Sequence, residues 1–252
     1  MPIDLLQKQR FEYKYIVDEI TAKSIRDFVS GYLEPDAYGA TQPEYSYPVH
    51  SLYMDSPGLK TYMDTINGER NRYKLRIRYY ENGKDAPVFF EVKRRFNQII
   101  AKKRAKVRRS SVEKLAHGFL PDTNDLYEFS PENAESMALI TNLINQINAQ
   151  PQVHVSYLRE AWMRNDWDNS VRVTFDRGVR TESFTELSLS TEMRDWVDVF
   201  GNQVILELKF TDRFPLWFKE MVQVFNLRQQ SAAKYVDGLI HLGLNRKMAV
   251  KL

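Results

Sequence analysis

The chain has 252 residues, 43% of them hydrophobic, which suits a single barrel-type domain with a substantial core. Its formal net charge of +3 says little about partners, so the arrangement of the charges has to carry that information. The absence of cysteine excludes disulfides, thiolate chemistry and cysteine-based zinc sites.

The N-terminal MPIDLLQKQRFEYKY lacks the basic flank and apolar run of a signal peptide. No stretch approaches the roughly 18 apolar residues of a membrane span. A soluble, cytoplasmic protein is expected, with no membrane segment and with residues 1–252 forming one domain. In chain order, the first strand alternates Arg10, Glu12 and Lys14 with Phe11, Tyr13, Tyr15 and Val17. A helix follows over Glu19–Leu33, with Ile20, Ile25, Phe28, Val29, Tyr32 and Leu33 as its apolar stripe and Asp18 or Thr21 as cap. Val49–Met54 reads as a strand and Pro57–Ile66 as a short helix. Tyr73–Tyr80 sets Lys74, Arg76 and Arg78 against Tyr73, Leu75, Ile77 and Tyr79. Val88–Arg95 sets Glu91 and Lys93 against Val88, Phe90 and Val92. After a turn near Phe96-Asn97-Gln98, Ile99–Val107 is a strand of undecided register, because Lys102 and Arg104 alternate with Ala101, Lys103 and Ala105.

Helices are expected at Ser111–Leu120 and Pro131–Ala149. Val153–Trp162 and Ser170–Asp176 read as a hairpin around Asn165–Asn169, with Arg172, Thr174 and Asp176 on one face of its second arm. Val204–Phe210 sets Glu207 and Lys209 against four apolar residues, and helices at Phe214–Leu227 and Ala232–Leu242 close the chain. At least seven antiparallel strands with few βαβ alternations argue for an α+β barrel or sandwich with added helices.

The polar faces repeat Lys and Arg, strand after strand, with isolated carboxylates between them. A sandwich with its charges in water explains any one such strand. Like charges in rows repel, however, and the same bias on five or six strands points to one wall that faces an anion. Arg offers planar bidentate donors to phosphate and Lys a compact charge. The carboxylates Glu12, Glu91, Asp176 and Glu207 are candidate ligands of a magnesium or manganese ion shared with phosphate oxygens. Lys102 and Arg104 add to the candidate phosphate contacts.

At these residues the chain resembles the VTC domain, the polyphosphate polymerase domain of the triphosphate tunnel metalloenzymes. The motifs are Arg10-Phe-Glu-Tyr-Lys14-Tyr, Ser51-Leu-Tyr-Met-Asp55, Lys74-Leu-Arg76-Ile-Arg78-Tyr and Phe90-Glu91-Val-Lys93. They continue with Ser156-Tyr157-Leu-Arg159, Val171-Arg172-Val-Thr174-Phe-Asp176, Leu206-Glu207-Leu-Lys209 and Ser231-Ala-Ala-Lys234-Tyr235. The resemblance implies a closed antiparallel eight-stranded β-tunnel with flanking helices. It implies an enzyme that moves the γ-phosphate of ATP onto inorganic polyphosphate and releases ADP, with Mn2+ or Mg2+. It makes Arg76, Arg78, Lys93, Arg159 and Glu207 the catalytic set, with Glu207 as principal metal ligand. Lys14, Arg172, Lys209, Lys234, Tyr157 and Ser231 become phosphate contacts, joined by Arg10, Lys74, Lys102 and Arg104 on the same wall. Hydrolytic tunnel enzymes begin with Glu-x-Glu-x-Lys; here Arg10 replaces the first Glu, which disfavours a two-metal hydrolase.

Other readings fare less well. Lys93–Arg109 holds nine Lys and Arg residues, enough for nucleic-acid phosphates. The aromatic residues fall on the apolar faces instead of standing ready to stack bases. A tunnel hydrolase of triphosphates, or a binding module without turnover, shares nearly every site residue. There is no P-loop, and His50, His117, His154 and His241 form no metal-ligand spacing. Phe214, Trp217, Phe218, Phe225, Trp162 and Trp167 are assigned to packing.

Overall fold

The structure is a computed structural model and describes residues 10–97, 99–164, 170–184 and 186–246. Ten antiparallel strands form one sheet: β1 (Arg10–Val17), β2 (Glu34–Pro35), β3 (Ser46–Asp55), β4 (Asn71–Tyr79), β5 (Val88–Phe96), β6 (Ile99–Val107), β7 (Gln150–Met163), β8 (Val171–Ser183), β9 (Val197–Asp198) and β10 (Val204–Thr211). The main path runs β1-β10-β8-β7-β3-β4-β5-β6, with the two-residue β2 and β9 paired onto β7 and β8. The flanking helices are α1 (Glu19–Ser30), α2 (Lys60–Ile66), α3 (Val112–Ala116), α4 (Pro131–Ile147), α5 (Leu216–Val224) and α6 (Lys234–His241).

Eight strands curve around a common interior, but the hydrogen-bonded ladder does not close, and the expected closed tunnel is corrected on this point. β1 and β6, the two ends of the path, come within 8 Å at their Cα atoms without forming a strand pair. A ladder would need about 4.8 Å between strands. Lys93 of β5 instead reaches Glu12 of β1 across this seam, at 2.9 and 2.8 Å. The edge strand β6 carries Lys102, Lys103, Arg104 and Lys106, the kind of charged edge that resists further pairing.

The period-two pattern decides which face is which. Leu75 and Ile77 of β4 and Phe90 and Val92 of β5 point outward and pack under Met137, Ile140 and Ile144 of α4. Val173, Phe175, Leu206 and Leu208 pack under Ala22, Ile25 and Val29 of α1 and Phe218 and Met221 of α5. Val153, Val155, Tyr53 and Ile205 pack against Tyr235 and Leu239 of α6. Each fully buried side chain of this size contributes about 1.5–3 kcal/mol. Helices α1, α4 and α5 therefore cover the outer face, whereas α6 packs on the inward face, where Tyr53, Val153 and Val155 share the side of Arg76 and Arg78 and Tyr235 lines the cavity.

Local details follow from capping. Asp18 caps α1 by accepting from Thr21 N at 2.7 Å, and Ser130 caps α4 by accepting from Asn133 N. α2 starts at Lys60, later than the sequence suggested, because the buried Asp55 carboxylate accepts from Thr61 N and Tyr62 N at 2.9 and 3.0 Å. The helix expected at Ser111–Leu120 is confined to α3, after a 3-10 turn at Arg109–Ser111. Ile20, assigned to the apolar stripe of α1, is 81% exposed. Trp162 is buried and donates to Glu160 at 2.6 Å. Trp167 and the turn expected at 165–169 lie outside the described residues. His50 and His154 meet at 3.1 Å on the outer face, with Tyr79 and Glu182 as neighbours, a contact that linear spacing could not show. Among the described residues no helix is long and apolar enough to cross a membrane.

Candidate active site

The inward faces enclose a cavity of about 1160 Å³. Thirteen lysines and arginines line it, against three carboxylates, Glu12, Asp36 and Glu207. Every residue expected at a catalytic position lies in this wall: Arg76, Arg78, Lys93, Arg159 and Glu207. So do the expected phosphate contacts Lys14, Lys74, Lys102, Arg104, Tyr157, Arg172, Lys209, Ser231 and Lys234. Arg10 opens β1, and its side chain lies outside what is described. The undecided register of β6 resolves in favour of Lys102 and Arg104, which oppose Lys93 and Glu91 of β5.

The four expected metal carboxylates do not come together. Glu91 is 1% exposed and lies on the inward face of β5, covered by the side chains of Arg76, Lys102 and Arg104. One of its oxygens accepts from Arg76 Nε and Nη2 at 2.7 and 2.6 Å. The other accepts from Arg104 Nε at 2.6 Å and Lys102 at 2.5 Å. Arg78 Nη1 lies 3.7 Å away. Burial would raise the Glu91 carboxyl, but Arg78, Arg76, Lys102 and Arg104 outweigh it and hold it well below the usual range. Asp176 is buried too, and grips Arg159 bidentately at 2.7 and 2.7 Å while its Oδ2 meets Lys234 at 2.6 Å. Both carboxylates act as counter-ions that fix guanidinium groups in the wall.

Glu207 and Glu12 do face the cavity. Glu207 Oε2 accepts from Lys209 at 2.6 Å, and its Oε1 from Lys234 at 3.3 Å. Lys14 stands between the two carboxylates, 3.5 Å from Glu12 and 3.6 Å from Glu207, while donating to Ala232 O at 2.7 Å. Burial would raise the Glu12 carboxyl; Lys93 and Lys14 outweigh that and bring it down to about 2. An ammonium group thus occupies the point both carboxylates can reach. Among the described residues no three His, Asp or Glu side chains form a metal cage. The donor set fits a hard divalent ion that takes two carboxylates from the protein and its remaining oxygens from phosphate and water.

The guanidinium heads are held by neutral donors and acceptors as well. Arg78 donates to Tyr157 OH at 3.1 Å, and Arg76 donates to Tyr53 OH at 3.2 Å. Positive charge still exceeds what the acids neutralise. Lys74 has no acidic partner among the described residues; burial, with Lys14 and Lys93 repelling it, lowers it to about 7. Burial also lowers Lys102 to about 6, despite Glu91, and Lys209 to about 8, despite Glu207. Such a wall is poised to take up a polyanion. The wall also contains Asp36, Tyr47, Tyr53, Arg72, Tyr80 and Arg95, none of them singled out from the sequence. Arg72 and Arg95 continue the alternations 72-74-76-78 and 91-93-95 by one step, so a longer reading of the same period would have found them.

Residues 9–242 match the profile of the VTC domain, nearly the whole chain. The chain belongs to the VTC domain family. No curated protein sequence matches it. Among solved structures, it is similar to a crystal structure from Bacillus halodurans described as a candidate adenylate cyclase. The identity is 11% and the TM-score 0.50, covering 90% of this chain and 94% of that one. At that identity the likeness concerns the fold alone.

Proposed function

We propose that this VTC domain is a phosphotransferase that moves the γ-phosphoryl group of ATP, or another triphosphate, onto the end of an inorganic polyphosphate chain. The observation that carries this reading is the wall itself, with thirteen lysine and arginine side chains converging on one cavity that only three carboxylates line. Family membership supports a triphosphate as the bound species.

In this mechanism Lys14, Lys74, Lys93 and Lys209 hold the phosphate chain, and Arg76, Arg78 and Arg159 grip the equatorial oxygens of the transferring group. Their heads are fixed in advance by Glu91, Tyr53, Tyr157 and Asp176, so little reorganisation accompanies the reaction. A terminal oxygen of the acceptor chain bonds to the γ-phosphorus as the bond from that phosphorus to the bridging oxygen breaks. The electron pair leaves with ADP. A phosphate oxygen is already ionised at neutral pH, so no general base is needed, in keeping with a wall rich in cations and poor in free carboxylates. A manganese or magnesium ion would be held by Glu207 and Glu12 with phosphate oxygens, and supplies neutralisation between adjacent phosphates.

The test is an incubation of the purified protein with ATP and manganese, with and without a short polyphosphate primer, scoring ADP, orthophosphate and polymer together. Polymer in step with ADP is expected. Orthophosphate without polymer would replace the transferase by a hydrolase, and absence of turnover with tight polyphosphate binding would leave a binding module.

A further inference from the structure

The two ends of the cavity differ in chemistry. At one end Arg72 and Arg95 oppose each other across the β4–β5 ladder. At the other end, past Arg78, the wall finishes in Tyr80 and Tyr47. Tyr38 packs edge-on against Tyr47 at 4.9 Å between ring centroids and lies 6.3 Å from Tyr80. Tyr47 itself lies 6.3 Å from Tyr80. Tyr47 is nearly buried, but Tyr38 is 50% exposed.

This rim is rigidly built. The Tyr47 hydroxyl donates to Asp36 Oδ2 at 2.9 Å, and the same oxygen accepts from Arg172 at 2.9 Å. Asp36 Oδ1 accepts from Gly39 N at 2.8 Å. A Cβ on Gly39 would stand 2.8 Å from Tyr45 O, so only glycine lets the loop fold this tightly. Glu44 and Tyr45 have φ of 50° and 54°, a strained arrangement for side-chain-bearing residues. Packing alone asks for neither the strain nor an exposed ring.

The rim also stands at the right distance from the phosphate cations. Tyr80 is two residues beyond Arg78, about 7 Å at the ordinary strand rise. Tyr47 is the register partner of Arg159. A planar group resting on the rim would therefore hand its phosphates directly to Arg78, Arg159 and Arg172.

We propose that Tyr38, with Tyr47 and Tyr80 behind it, is the stacking platform for the base of a nucleoside triphosphate whose phosphates enter the cavity. This deepens, and rests on, the transferase reading above. It gives the cavity a polarity, with the nucleoside at the tyrosine rim and the phosphate chain extending toward Arg72 and Arg95. A ring face is indifferent to base identity, so the platform distinguishes nucleotides from inorganic phosphates and not one base from another.

The test is calorimetric titration of the magnesium complexes of ATP and inorganic tripolyphosphate into wild type, Tyr38→Ala and Tyr38→Phe. Tyr38 is exposed, so the variants are expected to fold. Tyr38→Ala should weaken ATP by about tenfold, the usual worth of a base on an aromatic face, and leave tripolyphosphate unchanged. Tyr38→Phe should retain ATP affinity. Equal losses for both ligands, no loss for ATP, or a Phe variant as weak as Ala would each overturn the platform. If wild type binds tripolyphosphate and ATP alike and the variants change nothing, the platform alone falls. If wild type binds neither ligand, the transferase reading falls with it.

Discussion

Glu91 and Glu207 are two carboxylates that are each surrounded by cations but differ in their position relative to the cavity. Glu91 lies beneath the cation heads of the wall, bound by Arg76 from one neighbouring strand and by Lys102 and Arg104 from the other. Glu207 lies in the wall, bound by Lys209 and Lys234, with Lys14 linking it to Glu12. The difference lies in what each can still accept. Glu91 has given both oxygens to groups it orients. Glu207 faces the interior, where a phosphate-bound metal could displace an ammonium. A carboxylate in a basic wall is thus a structural counter-ion or a ligand according to how deeply the surrounding cations cover it.

The largest effect that would sharpen this contrast is on stability. Glu91→Gln should leave Arg76 and Arg104 without a counter-charge and cost about 3 kcal/mol or more, as breaking a buried pair does. Tripolyphosphate should restore part of the loss in thermal denaturation. A Glu91→Gln protein that melts like wild type but lacks turnover would reverse the roles assigned to the two acids. Next in size, Glu207→Ala should lower transfer by about a hundredfold or more, with a much smaller change in melting temperature. Wild-type rates in the presence of manganese would remove Glu207 from the metal site.

A third prediction concerns pH, and its two parts have opposite signs. Lys102, Lys74 and Lys209 titrate at about 6, 7 and 8, below the ordinary lysine value that the unfolded chain shows. Between those values and that ordinary one the unfolded chain binds more protons than the folded one, so these groups make the free protein more stable as pH rises. Phosphate affinity should fall over the same rise, because the wall loses charge. Lys74→Met should flatten both slopes, measured by melting temperature and by tripolyphosphate titration from pH 6 to 9. Slopes of the same sign would contradict the placement of these lysines. The smallest effect belongs to the far mouth. Arg95→Gln should weaken long polyphosphate by a few-fold, about the worth of one exposed charge contact, and leave ATP unaffected.

Much of the fold was legible in the sequence because both faces of most strands are chemically uniform. Lys74, Arg76 and Arg78 could only share one side, with Leu75 and Ile77 on the other. β6 was not legible alone, since Lys102, Lys103 and Arg104 are consecutive; its register is set by Glu91 across the ladder. The open seam depends on β1 meeting β6, two segments far apart in the chain whose approach no local period encodes. The same holds for the site. Alternation placed the cations, whereas the division of Glu91 and Asp176 from Glu12 and Glu207 depends on depth, which period two does not report. Asp36 and Tyr38 lie in an irregular loop with no period at all, so the tyrosine rim emerged only from the folded chain.

The central claim is that the cation-lined cavity exists to hold a phosphate chain. Calorimetric titration of tripolyphosphate near pH 7.5, repeated in two buffers of different ionisation enthalpy, tests it most directly. Tight binding is expected, with net proton uptake as Lys74, Lys102 and Lys209 regain charge beside the anion. Absence of binding, or binding with no proton uptake, would contradict the account.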